Sequence, residues 1–181
     1  MNPPCKHQLI RSVVFVSVSV SPTMSPILGF DLLSKNVSLF TIPAFFVAAC
    51  LGPHAYAISA ADKTYDISNP RFFLHNVAKD ESIDKTLRQR IIRAEGASQN
   101  GFENLGFFAS GVVAANVAGL DGPEISALSL GYLVARLAYV FTYVHLGANR
   151  RLAPVRSLVY MASTGLLLTI WVRAGLKLLQ Q

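Results

Sequence analysis

Four apolar stretches of bilayer-spanning length govern what this chain can fold into. They are "VSLFTIPAFFVAACLGPHAYAI" (37–58), "FENLGFFASGVVAANVAGL" (102–120), "ISALSLGYLVARLAYVFTYVHL" (125–146) and "SLVYMASTGLLLTIWVRAGLKLL" (157–179). About 20 mainly apolar residues are needed for a helix to cross hydrocarbon. Backbone polar groups find no water there, so only helices and closed barrels cross it. The pattern predicts an all-α membrane protein, a bundle of four transmembrane helices. Composition agrees: 14% of residues are charged and 52% hydrophobic, where soluble domains carry about 25% charge. The formal charge of +6 would suggest nucleic acid in a soluble protein. Here the cations gather between apolar segments, which reads as membrane topology rather than as a nucleic-acid surface.

The connections are unequal. The connection over residues 61–100 is long and charged, with Lys63, Arg71, Lys79, Lys85, Arg88, Arg90 and Arg93. Their later part reads as an extension of the second helix, with Asp80 or Ser82 as N-cap. "DGPE" (121–124) is a tight acidic turn, and "GANRRLAPVR" (147–156) is short and basic. The positive-inside rule puts both basic connections in the cytosol. Residues 1–31 read as an N-terminal extension, with Met24 as a second candidate start. Residues 32–181 read as the membrane domain, with helices near 37–58, 80–120, 125–146 and 155–179. Pro43 and Pro53 predict kinks in the first helix. Asn36 opens a formal glycosylation sequon, "NVS", against the membrane. Cys5 and Cys50 form no disulfide framework, and no metal-binding spacing is present.

Polar side chains inside apolar helices are the candidate functional residues, because a charge in hydrocarbon is costly. Tyr132, Arg136, Tyr139 and Tyr143 are spaced by four, three and four residues, one stripe on one helix face. Such a stripe is either helix–helix glue or the wall of a wet, anion-binding cleft. Asn100 and Glu103 lie one turn apart on the second helix, with Arg93 two turns before. Glu103 is expected to pair with Arg136 inside the bundle. Arg156, Ser157 and Tyr160 open the fourth helix behind Pro154. Arg173 and Lys177 read as interface anchors, and His54 as a structural histidine.

Taken in order, "RAEGASQNGFENLGFF" (93–108), "RLAYVFTY" (136–143) and "LAPVRSLVY" (152–160) resemble the MAPEG proteins, the membrane-associated proteins in eicosanoid and glutathione metabolism. The resemblance spans about 32–179. It implies a left-handed four-helix bundle assembled as a homotrimer in the endoplasmic reticulum membrane. Glutathione would be the co-substrate, in a cytosol-facing cleft between subunits, and no metal is implied. Asn100 and Glu103 match the N-x-x-E glutathione-binding pair of the family, and Arg136 its third-helix arginine. Tyr143 matches the tyrosine two turns on, and Tyr139 stands where many members have histidine. Arg156 and Ser157 match the pair that activates the thiol, and Tyr160 a further glutathione contact. Arg93 stands one turn before the usual arginine position, which here is Gly96. Gly106 stands where proline is frequent.

The implied activity is conjugation, isomerisation or peroxide reduction of an apolar substrate drawn from the bilayer. Arg156, with Ser157 or Tyr143, would stabilise the thiolate, and Asn100, Glu103, Arg136, Tyr139, Tyr160 and Arg93 would hold the tripeptide. A non-catalytic, lipid-binding member of the family is the alternative. A transporter or channel subunit lined by Arg136 and Glu103 is another.

Overall fold

A computed structural model describes residues 36–149 and 151–181 of the chain. The N-terminal extension, Cys5 and Met24 lie outside the described residues. Helix α1 runs over residues 38–61 as Ser38–Phe45, a π-helical stretch Phe46–Leu51, and Gly52–Ala61. A short α2, Phe73–Lys79, lies in the long connection. Then come α3, Lys85–Val117, and α4, Gly122–Phe141, which continues as a π-helical stretch Thr142–Leu146. Helix α5, Ala153–Leu178, closes the bundle. Among the described residues there is no strand.

Pro43 and Pro53 do more than kink α1. Pro53 lacks the N–H that Ala49 O would accept in a regular helix, and the π-helical stretch falls between the two prolines. Neighbouring helices and local π adjustment re-satisfy such freed groups in membrane helices. Helix α3 comes closest here: Ser98 Oγ donates to Cys50 O at 2.7 Å. A Cβ added at Gly101 would stand 2.6 Å from Ala49 O and 3.1 Å from Cys50 Sγ. Only glycine allows this approach of α3 to α1.

Two cores follow the depth of the bundle. One packs Phe45, Phe108, Tyr132, Leu167 and Ile170, with Phe108 and Tyr132 stacked at 4.3 Å between centroids. The other, at the basic end, packs Phe73 and Val77 of α2 against Ala57, Ile91, Ala94 and Val144. Outside the bundle, Phe40, Val47, Val134, Leu158, Met161 and Val172 are exposed. Three helical stretches, 38–64, 122–146 and 154–178, are long and apolar enough to cross a membrane. Helix α3 is too polar to count by the same measure. Among its exposed residues, Gln99, Glu103, Gly106, Ser110, Val113 and Val117 repeat at alternating spacings of four and three, with Phe102 and Phe107 exposed beside them.

Two expectations are corrected. The N-cap of α3 is Asp84, which accepts from Thr86 N at 2.8 Å and Leu87 N at 3.3 Å, not Asp80 or Ser82. Asp80 instead ties down the preceding turn, accepting from Ser82 N at 2.9 Å and from Thr64 Oγ1. Arg173 is not a free anchor: it donates twice to Glu124, at 2.6 and 2.9 Å, locking α5 to the start of α4. At that same acidic end, Asn36 Nδ2 donates to Asn116 Oδ1 and Val37 N to Ser126 Oγ. The sequon asparagine is therefore part of a polar knot joining α1, α3 and α4.

Gly101→Ala is expected to destabilise the protein by about 1–3 kcal/mol through overpacking, read as a lowered denaturation midpoint in detergent. Hydrogen bonds to the capping N–H groups hold the Asp84 carboxyl below its ordinary range, and those from Ser82 and Thr64 do the same for Asp80. A depressed folded value means that the stabilisation is complete above the unfolded value and is lost as pH falls through the folded one. Protection of the Thr86 and Leu87 amides, measured against their intrinsic exchange rates, should therefore fall below about pH 4. In Asp84→Ala that protection should already be low at pH 7.

Candidate functional site

Three helices build one polar cavity of about 350 Å³ toward the basic end of the bundle. Helix α3 contributes Asn100, α4 contributes Tyr139 and Tyr143, and α5 contributes Arg156, Ser157, Tyr160 and Met161. Each set follows from helical spacing. Tyr139 and Tyr143 are one turn apart, as are Arg156 and Tyr160, and Ser157 and Met161. Pro154 at the start of α5 fixes that helix just ahead of Arg156 and Ser157. Arg156 closes the first turn of α5 and Ser157 opens the second, close to the N-terminal end whose dipole favours an anion.

The aromatic rings form a connected wall. Tyr139 lies 5.7 Å from Tyr143 and 5.6 Å from Tyr160 between centroids. The Arg156 guanidinium stands 4.9 Å from the Tyr143 ring centre, a cation–π contact that orients both. Gly96 lies beside Tyr143: a Cβ there would come within 3.2 Å of the phenol oxygen.

Arg136 does not enter the cavity. It is 1% exposed, behind Tyr139 and Tyr160, with ring centres 4.8 and 5.6 Å from its guanidinium. Its Nη2 donates to Asn100 Oδ1 at 2.5 Å and to Asn100 O at 3.3 Å. Arg136 is thus bonded to the asparagine, not to Glu103 as expected. Glu103 is exposed on α3, one turn beyond Asn100, and no ion pair to it forms among the described residues. Helical geometry accounts for the difference: Asn100 points straight across to α4, whereas Glu103 is rotated about 60° toward the exposed stripe of α3. By accepting from Arg136, Asn100 Oδ1 leaves the Nδ2 donor available to a ligand.

Arg93 is also elsewhere. Its Nε donates to Val144 O at 3.3 Å, and the residue lines a different cavity with Lys85 and Gln89. Of the ten candidate residues singled out from sequence, the cavity therefore gathers Asn100, Tyr139, Tyr143, Arg156, Ser157 and Tyr160, while Tyr132 of the same stripe is in the apolar core against Phe108. Arg136 backs it, while Glu103 and Arg93 do not line it. Met161 lines it without having been anticipated; its place one turn after Ser157 is the signal that could have found it. His54 bonds Glu95 through Nδ1 at 2.8 Å, away from this cavity, in keeping with a structural histidine.

No carboxylate lines the cavity, and Arg156, four hydroxyls and one amide do. Such a set binds an anion and donates hydrogen bonds to it. Comparison with known proteins gives one match: the model of the MAPEG family covers residues 40–176. No curated protein and no solved structure gives a match.

Replacing Arg136 should loosen Asn100. In a double-mutant cycle of Arg136→Met and Asn100→Ala, unfolding measurements are expected to give a coupling of about 1–3 kcal/mol, as for hydrogen bonds to a charged group. A coupling near zero would remove Arg136 from the support of the cavity.

Proposed function

The chain belongs to the MAPEG family, and from that premise and the chemistry of the cavity we propose that it is a glutathione-dependent membrane enzyme acting on apolar substrates. The observation that carries this reading is the gathering of Asn100, Tyr139, Tyr143, Arg156, Ser157 and Tyr160 around one carboxylate-free cavity. Glutathione supplies a thiolate nucleophile for conjugation, for isomerisation or for peroxide reduction. A free thiol titrates at about 8.5, and nearby cations lower that value. Arg156 and the first turn of α5 provide the positive field, and the Ser157 and Tyr143 hydroxyls donate to the sulfur. Asn100 Nδ2 donates to a carboxylate or peptide carbonyl, and the buried charge of Arg136 acts through Asn100. Tyr139 and Tyr160 wall the site. Glu103, on the rim, accepts from the ammonium group. Arg93 has no part in this assignment.

The apolar substrate comes from the bilayer. Met161 lines the cavity and is 68% exposed, beside Leu158 at 66%. An electrophile dissolved in hydrocarbon therefore passes along α5 to the thiolate without crossing water. We assign the basic end to the cytosol, following the positive-inside rule, and the membrane to the endoplasmic reticulum, following the family. Helix α3 crosses the membrane inside an oligomer. Its exposed stripe has the four–three spacing of a helix–helix seam, and a homotrimer places the three stripes around one axis.

Isothermal titration of the detergent-solubilised oligomer with glutathione should show binding, and binding should weaken in Glu103→Ala. Arg156→Ala should keep the oligomer and lose about 100-fold or more in turnover with a model electrophile, the range found when a preorganised donor to developing charge is removed. Wild-type turnover in Arg156→Ala would sink its assigned role. A well-folded oligomer that binds no glutathione would favour the non-catalytic, lipid-binding reading.

A further inference from the structure

A second cavity of about 400 Å³ lies at the basic end, lined by Lys85, Thr86, Gln89, Arg93, Gly147 and Ala148. It is separate from the site above, and the proposed activity makes no use of it. Lys85, Gln89 and Arg93 follow one another at spacings of four along α3, so they form a single row of donors on one face. Gly147 and Ala148, where α4 ends, form the facing wall. The approach is close: a Cβ added at Gly147 would meet Arg93 Cδ at 2.8 Å and would collide with Tyr143 O. Any side chain at 147 would push the Arg93 side chain out of its place.

Charge in this cavity is of one sign. The lining includes two cations, one hydroxyl and one amide, and no carboxylate. The nearest acid in sequence, Asp84, already accepts from the N–H groups of Thr86 and Leu87. Arg93 Nε donates to Val144 O, which caps the negative end of α4, and the two terminal nitrogens of the same guanidinium form no hydrogen bond among the described residues. The cavity also stands at a particular depth. Gly147 closes the apolar stretch of α4, and from Arg93 to Lys85 the row rises about 12 Å along α3. That is the headgroup zone of a bilayer, beyond its roughly 30 Å of hydrocarbon.

We propose that this cavity binds a phosphate monoester, with the headgroup of an anionic phospholipid as its source at the membrane surface. Lys85 serves as a point charge, the Arg93 fork takes two phosphate oxygens, and Thr86 and Gln89 donate to the remainder. The site would hold a lipid where α4 ends and the second basic connection begins, one helical turn from Tyr143.

Native mass spectrometry of the full chain in detergent tests this, with phosphatidic acid, phosphatidylcholine and inorganic phosphate as separate additives. Phosphatidic acid is expected to stay bound while phosphatidylcholine is lost. Lys85→Gln should weaken retention about fivefold, and Lys85→Gln/Arg93→Gln more than tenfold, at roughly one cation's surface contribution each. Lys177→Gln, a cation at the opposite end, should change nothing. Lys85 has no partner to lose among the described residues, so its variant reports binding rather than folding. Equal retention of the two lipids, or unchanged retention in Lys85→Gln, would overturn the site. Protection from thermal unfolding by inorganic phosphate alone, lost in Lys85→Gln, would support the site and overturn the lipid source.

Discussion

The bond from Arg136 to Asn100 is the constraint around which the polar half of the bundle is arranged. An arginine at mid-helix costs about 2.5–3.5 kcal/mol on insertion scales. A hydrogen bond to a charged group contributes about 1.5–3 kcal/mol, and Arg136 makes two to Asn100. Two aromatic faces at 4.8 and 5.6 Å add to this. The charge is therefore tolerated without a carboxylate. That outcome frees Glu103 from the bundle and fixes Asn100 at the cavity wall, with Tyr139 and Tyr160 held over the guanidinium.

The same arithmetic explains Gly96. Where the family often has an arginine, this chain has no side chain at all, and the Tyr143 phenol occupies the space beside it. Tyr143 lies within the π-helical stretch that ends α4, and such stretches recur at functional sites because they re-aim side chains. A ring seated beside Gly96 and under Arg156 brings a hydroxyl to the cavity at this position.

The bundle was legible because hydrocarbon permits so few alternatives. Segment length, apolar composition and the charge of the connections located α1, α4 and α5, the three helices long and apolar enough to cross a membrane; α3 packs among them as a helix but falls outside that set. Helical spacing was equally informative within one helix: the Tyr139–Tyr143 and Arg156–Tyr160 pairs share the cavity as their intervals require. Pairing between helices was not legible. Arg136 chose Asn100 over Glu103 by a rotation of about 60° on α3, and no periodicity in a single segment encodes which face of its neighbour it will meet. Arg93 was placed with Asn100 by its helix face, but the end of α4 intercepts it through Val144 O. The cap at Asp84 was missed for a related reason: Asp80, Ser82 and Asp84 are all good caps by residue type, and only the turn closed by Asp80 decides among them.

Glu103 shows what the isolated chain leaves open to its surroundings. A carboxylate exposed on the apolar part of a helix cannot face lipid without a cost of several kcal/mol, whereas it can face a partner helix or a wet cleft. Its neighbours along the stripe, Gln99, Gly106 and Ser110, are small or polar, the residue types through which membrane helices approach one another. Val113 and Val117 continue the stripe in apolar form toward the acidic end, so a facing helix would meet a polar seam at one end and a dry one at the other. Glu103 belongs to that seam and stands one turn from Asn100, which lines the cavity. In the homotrimer proposed above this stripe faces a second copy, so that assembly and the setting of Glu103 would depend on the same face of one helix.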